Sequence, residues 1–270
     1  MSAAQLADIE GSVAPPPMRI DAVGVSRVRH PIVIVDRTQT RRQTVATITM
    51  SVDVAATTPG VHLNRFLEVL AYAADELTMH TAPRLLDEVR THLGATAASV
   101  DAEFPYFIER RAPMSGAREL LDVTCCLSFR GSPGDSLFVL SVTVPVMTLC
   151  GCGQTIRGDR PHEQRCDLTI SVGRRLVEDP PTDQMIWIED LVDLAERHSW
   201  APNSRALQWT DERFVTSSTD DDPASAEDVV RGIAATLQRD PRVESFYVEA
   251  SSDESVHNYR AFARIGSSPT

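Results

Sequence analysis

Lysine is absent. All 26 basic residues other than histidine are arginine, so any phosphate contact must come from guanidinium, imidazole, hydroxyl or backbone amide groups. Aromatic residues are scarce at 6%, and the apolar positions are mostly Val, Ile, Leu and Ala, which favours sheets covered by helices over an aromatic-rich sandwich. Cysteines number five, an odd count without a paired pattern, which excludes a disulfide framework. No apolar run approaches the roughly 20 residues of a membrane span, and Met1–Ala14 lacks a basic patch followed by an apolar stretch. The expectation is a cytoplasmic protein with no membrane partner. Positive charge is the minority sign, 26 against 38 acidic residues for a formal charge of −12. Such a chain repels polyanions, which argues against a nucleic acid polymer as partner. A small anionic substrate remains open if local arginines gather it.

What is present is enough apolar residue for one large domain or two modest ones, 42% of 270 residues. Residues 1–17 are Ala-, Pro- and Ser-rich without periodicity and read as a tail. His30–Asp36 and Gln43–Val54 alternate like antiparallel strands, joined by an Arg-rich turn over Arg37–Arg42. His62–Leu77 and Pro83–Leu93 carry apolar residues at helical spacing. Three strand-like runs follow, Ala98–Arg111, Arg118–Arg130 and Ser136–Leu149, the last two separated by a hairpin turn at Gly131–Gly134. The second half echoes that order: a strand over Arg165–Arg174, helices over Asp183–Arg197 and Ala224–Gln238, then strands over Val243–Ala250 and Ser255–Ile265. Ser217–Ser225 reads as an acidic surface loop. The pattern predicts an α+β protein of two similar halves, 18–149 and 150–270, the second carrying most of the chemistry.

That chemistry centres on Val144–Arg165, where a strand delivers Cys150-Gly151-Cys152-Gly153 and a polar loop leads to His162. A thiolate and an imidazole twelve positions apart across a loop can close on one metal ion. On spacing alone, a pair of packed cysteines beside a solvent-facing histidine is the more common arrangement. Cys125 and Cys126, neighbours in an apolar run, read as small packed hydrophobes on opposite sides of a strand.

The segment resembles the CPCSxxIS…GAHNQRS signature of the type IB GTP cyclohydrolases, with Cys150, Cys152, His162, Gln164 and Arg165 in register. Other segments agree in order. Gly60 through Phe66 is similar to G-x-H-M-S-R-F, and Ala112 through Gly116 to an Ala-Pro-Val-Ser-Gly turn. Glu196 and Glu212 keep an E-x(15)-E spacing, and Glu254 through Asn258 resembles ESIHN. The resemblance spans about residues 18–266 and implies the tunnelling fold (T-fold), antiparallel sheets with helix pairs on one face. Subunits of that fold assemble side by side into barrels, here implying a homotetramer with interface active sites.

Carried over by motif, the resemblance implies Cys150, His162 and Glu196 as ligands of one divalent ion, Zn²⁺, Mn²⁺ or Fe²⁺, with a fourth position left for water. It implies opening of the GTP imidazole ring at C8, formate release and 7,8-dihydroneopterin triphosphate as product, a step of pterin and folate biosynthesis. His257 would be the general acid or base, Glu254 the anchor of the guanine N–H edge, and Glu212 an acidic catalytic neighbour. His62, Arg65 and Arg165 would contact the nucleotide.

The motif is not complete. Gly151 and Gly153 replace Pro and Ser, Gln154 replaces a Lys, Glu163 an Asn, and Asn64 a Ser. Gln208-Trp209 replaces a Lys-Arg pair, Ser204 a Tyr and Tyr259 a His. Metal ligands persist while cations are lost, which leaves two alternatives beside the GTP enzyme. One is a paralogue acting on a related guanine nucleotide, or stopping at a formamide or cyclic phosphate. The other is a silent T-fold subunit that binds a purine or pterin.

Overall fold

The computed structural model describes residues 18–58, 61–73, 76–112, 114–150, 162–176, 181, 184–199, 201–202, 209, 211, 225–253 and 258–267, with the backbone alone at 73, 150, 162, 163, 201 and 202. Among these residues nine strands form one antiparallel sheet: β1 (Ile20–Val35), β2 (Arg41–Val54), β3 (Ala98–Arg111), β4 (Arg118–Ser132), β5 (Asp135–Cys150), β6 (His162–Arg175), β7 (Ala201–Pro202), β8 (Ser245–Asp253) and β9 (Arg260–Ser267). The order across it is β1-β2-β3-β4-β5-β6-β8-β9, with the two-residue β7 added against β5. Helices α1 (Asn64–Ala73) and α2 (Ala82–Leu93) lie in sequence between β2 and β3. Helices α3 (Ile188–His198) and α4 (Ala226–Leu237) lie between β6 and β8. The α+β expectation holds.

Period-two alternation sorts the sheet into two unlike faces. One register row runs Ile48, Ala102, Leu127, Leu140, Val172, Phe246, and every member is buried. The adjacent row runs Thr47, Glu103, Cys126, Ser141, Ser171, Tyr247 and is polar. The apolar face joins Leu85, Leu86 and Val89 of α2, Leu191, Val192 and Ala195 of α3 and Val230, Ile233 and Ala234 of α4 in one core. The β4–β5 hairpin turns through Pro133-Gly134 between the paired Ser132 and Asp135, with Gly134 at φ 79°, as the sequence predicts.

Helix ends follow local chemistry. Pro83 sits in the first turn of α2, and Gly94, at φ 65°, closes it. Ser225 caps α4 by accepting from the Asp228 amide at 3.2 Å. Where α3 meets α4, Gly232 faces His198: a Cβ there would lie 2.5 Å from His198 Nδ1. Gly232→Ala should therefore displace a ring that also bonds Thr236 Oγ1 at 3.3 Å. The expected cost is about 1–3 kcal/mol, read from a urea unfolding midpoint.

Several boundaries differ from expectation. The first strand begins at Ile20, not His30. Two register shifts, between Ile20 and Val23 and between Val25 and Val28, interrupt the alternation that would have marked it. Gly24 fits there because a Cβ would fall 1.9 Å from the Met50 carbonyl oxygen. The helix expected from Asp183 starts at Ile188, and the last strand at Arg260 instead of Ser255. The 1–17 tail and most of the Ser217–Ser225 loop lie outside the described residues.

Two buried carboxylates tie connections to the sheet. Asp53 accepts from Thr96 Oγ1 at 2.6 Å, the Ala97 amide at 2.7 Å and the Thr96 amide at 3.0 Å, and these bonds outweigh burial to hold its pKa below the usual value. Asp36 accepts from Thr38 Oγ1 at 2.7 Å, Arg42 Nε at 2.8 Å and the Thr38 and Thr40 amides at 2.9 Å. Burial pushes its pKa up, yet those bonds together leave it lowered. Both groups have folded pKa values below their unfolded ones. Their stabilisation is thus complete above about pH 4 and is lost as pH falls through the folded values. Stability measured from pH 5 to pH 2 should drop less steeply in Asp53→Asn than in the unaltered chain.

Candidate active site

The β5–β6 ladder positions the two metal-type residues. Register runs without a break from Leu137 opposite Arg175 to Cys150 opposite His162. Directly opposed residues of an antiparallel pair share a sheet face, with Cβ atoms about 4.5–5.5 Å apart. Alternation from the buried Val146 and Thr148 on β5, and from Cys166 and Gln164 on β6, assigns positions 150 and 162 to the helix-covered face. The backbones of a cysteine and a histidine are thus paired at the end of the ladder, two residue types that can ligate a divalent transition metal.

Several connections leave the sheet at this same end. They are the β3–β4 turn after Arg111, the β5–β6 connection after Cys150 and the β8–β9 connection after Asp253. The end of α3 belongs here too, because β7 pairs Ala201 with Met147 and Pro202 with Val146. Glu196 lies in the last turn of α3, five positions before Ala201. Its carboxylate takes Arg110 Nε at 2.9 and 3.1 Å, while Arg110 Nη2 reaches Asp193 at 2.9 Å. Burial acts to lower the Arg110 pKa, but the two carboxylates outweigh it and raise it. In this placement Glu196 is an ion-pair residue whose oxygens share one N–H, and each oxygen keeps acceptor capacity.

Asp211, the neighbour of Glu212 and no part of the motif spacing, is fully buried. Its Oδ1 accepts from the Met114 and Ser115 amides, both at 2.9 Å. The segment that leads into Glu212 is therefore pinned to the β3–β4 turn. No spacing rule marks such a residue; its one signal is the polar turn at Ala112–Gly116 with amides to satisfy. Gln164 was likewise unassigned. It is buried opposite Thr148, and Thr148 Oγ1 bonds Ser252 Oγ at 3.4 Å.

Three of the expected nucleotide contacts are not gathered here. His62 and Arg65 stand at the start of α1, which follows β2. β2 ends at the far end of the sheet, where Val52 pairs Ala98 and Ala98 pairs Gly131. Arg65 Nη1 donates to the His92 carbonyl at 3.2 Å. Arg165 is exposed opposite Met147, one position out of phase with Gln164, and so belongs to the polar face. Cys152, Glu212, Glu254 and His257 lie outside the described residues. Among the described side chains no group of three His, Cys, Asp or Glu is arranged to hold a metal ion, and those of Cys150 and His162 are not part of that set.

The thiols among the described side chains are inert by environment. Burial pushes the pKa of Cys125, Cys126 and Cys166 up, which keeps them protonated and in the packing role expected of the first two. A cavity of about 160 Å³ between α3 and α4 is lined by Arg37, Asp190, Asp193, Asp240 and Arg242. Its charges pair with one another, Arg37 with Asp193 at 2.9 Å and Arg242 with Asp190 at 3.0 Å and Asp240 at 2.7 Å.

Comparison with known proteins bears on this geometry. A family model described as "Type I GTP cyclohydrolase folE2" matches residues 6–263. The GTP cyclohydrolase FolE2 of Nitratidesulfovibrio vulgaris is 39% identical over 258 residues, covering 96% of this chain and 95% of the relative. That of Magnetococcus marinus is 37% identical over 262 residues, with 96% and 95% covered. That of Geobacter metallireducens is 38% identical over 247 residues, with 91% of each covered. Among solved structures, uricase from Arthrobacter globiformis aligns with a TM-score of 0.52 at 12% identity over 92% of each chain. Urate oxidase from Bacillus sp. TB-90 aligns at 0.50 and 12% identity, covering 92% of this chain and 99% of the other. These last likenesses show a shared uricase-like T-fold and nothing about activity. The family designation that the comparisons carry is FolE2, in place of the type IB label of the sequence resemblance.

Proposed function

Because this chain belongs to the FolE2 family of type I GTP cyclohydrolases, we propose that it opens the imidazole ring of GTP at C8, releases formate and yields 7,8-dihydroneopterin triphosphate. The observation that carries the reading beyond family membership is the ladder that sets Cys150 opposite His162. These two and Glu196 are the proposed ligands of one divalent ion, Zn²⁺, Mn²⁺ or Fe²⁺. Such an ion, when bound, supplies Lewis-acid activation of water at neutral pH. Arg110 fixes the plane in which the Glu196 carboxylate is presented.

His257 is the proposed proton carrier, since an unperturbed imidazole titrates near neutral pH. Glu254 accepts from the guanine N–H edge, and Glu212 is the acidic neighbour. Both Glu254 and His257 belong to the β8–β9 connection, which leaves the sheet beside the Cys150 end. His62 and Arg65 serve the nucleotide of a neighbouring subunit, a division consistent with their position at the opposite end of the sheet. That division requires an oligomer, for which we propose a homotetramer, while Arg165 on the polar face meets the phosphates. Two similar halves, 18–149 and 150–270, remain part of this reading, with a helix pair in each. No helix among the described residues is long and apolar enough to cross a membrane, and a cytoplasmic location suits a pterin-forming enzyme.

The test is incubation of metal-loaded protein with GTP, following formate and, after oxidation, pterin fluorescence. Both signals are expected, and both should disappear in His257→Ala. Formate without pterin would redirect the reading to ring opening alone. Neither signal from folded, metal-loaded protein would overturn it.

A further inference from the structure

Gln164 is more than nine-tenths buried, and its side-chain Nε2 has no hydrogen-bond partner. A buried amide left unsatisfied is costly, and it is one of five such side-chain atoms among the described residues; an ordered water, an ion or a ligand can satisfy it. The polar groups beside it are already engaged. Thr148 Oγ1 bonds Ser252 Oγ, and the Cys166 thiol interacts with Ser252 and the Ser251 backbone. The next covered row inward, Val146 and Cys166, is buried, so a Leu or Met at 164 would complete the same packing without an orphan. Ser199 Oγ, two positions before β7 at the same end of the sheet, is a second buried group without a partner.

Position decides what the orphan faces. Gln164 follows His162 by two residues on the same face, one register row inward, about 7 Å along the strand. Cys150 is its diagonal neighbour across the ladder, within reach of a long side chain. The leftover group is a donor, so it selects acceptors. Guanine offers donors along N1–H and the exocyclic amine, whereas N7 and O6 are acceptors, and N7 is bonded directly to C8. We propose that Gln164 Nε2 donates a hydrogen bond to the N7/O6 edge of the bound guanine nucleotide, holding C8 over the Cys150–His162 row. This rests on the GTP reading above and adds to it a residue that selects guanine by its acceptor edge. Adenine keeps the N7 acceptor but places a donor amine where guanine has O6, so the discrimination comes from the O6 contact.

Gln164→Met, which keeps length and removes the donor, is the deciding variant. The expected result has three parts: unchanged metal content, a melting temperature equal to or above that of the unaltered chain, and kcat/KM for GTP at least about tenfold lower. GTP should also raise the melting temperature less in the variant. A lower melting temperature with kcat/KM intact would assign Gln164 to the fold and overturn the proposal. Lost metal would do the same by assigning it to ligand positioning. If the unaltered, metal-loaded enzyme released no formate, the cyclohydrolase reading would fail separately. The GTP-induced melting shift would then judge Gln164 alone: a shift present in the unaltered chain and reduced in Gln164→Met supports the contact, and equal or absent shifts overturn it.

Discussion

Cys150→Ala is expected to lose its metal on dialysis and to form dihydroneopterin triphosphate at least about a thousandfold more slowly. Cys150 is the terminal residue of β5, and its backbone pairing with His162 does not depend on its side chain. Alanine should leave the ladder and the melting temperature nearly unchanged while removing the one thiolate of the proposed ligand set. An ion that lowers the pKa of bound water towards neutrality cannot be replaced by the remaining imidazole and carboxylate. A thousandfold loss corresponds to only about 4 kcal/mol of barrier. The control is Cys166→Ala on the paired strand, a buried thiol whose pKa burial pushes up. It should keep its metal and cost stability instead. Full metal occupancy in Cys150→Ala would remove Cys150 from the site.

Asp211→Ala should destabilise the chain by about 3 kcal/mol or more and depress activity as well. One carboxylate oxygen serves two amides, those of Met114 and Ser115. Hydrogen bonds to a charged acceptor contribute about 1.5–3 kcal/mol each, and their loss leaves the donors short of a partner. Asp211→Asn retains an oxygen that both amides can use, so it should cost about half as much. Urea midpoints of the three proteins should fall in the order unaltered, Asn, Ala. Because Glu212 is the next residue, activity should decline in the same order at temperatures where all three remain folded. Equal stability of the Asn and Ala variants would show that the charge, not the oxygen, holds the turn.

Much of the architecture was legible because burial on one face imposes strict alternation. Ala98–Arg111 was read at its observed limits, and Gly131–Gly134 announced the hairpin because turns of that length require positive φ. The first half of β1 was not legible, since its register shifts scramble the alternation while the partner strand stays intact. At the site, Cys150 and His162 were legible as a donor pair, but their opposition follows from a register that no local rule supplies. Arg110 holding Glu196 spans 86 positions, and Asp211 meets Met114 across 97. Such contacts leave no periodic trace. The separation of His62 and Arg65 from the Cys150 end was hidden for the same reason, since a motif shows order along the chain and not which end of the sheet it reaches.

The β5–β6 ladder also governs how this protein tolerates insertion and deletion. The connection between Cys150 and His162 can lengthen or shorten without altering their spacing, because the strands and not the loop set it. One residue inserted within β6 between Gln164 and Arg175 has the opposite effect. It would turn His162 to the polar face while leaving Cys150 on the covered one, and every aligned residue of the protein would still be present. Length variation among homologues should therefore collect in 151–161 and be excluded from the paired strands, and grafted peptides are best introduced into that connection.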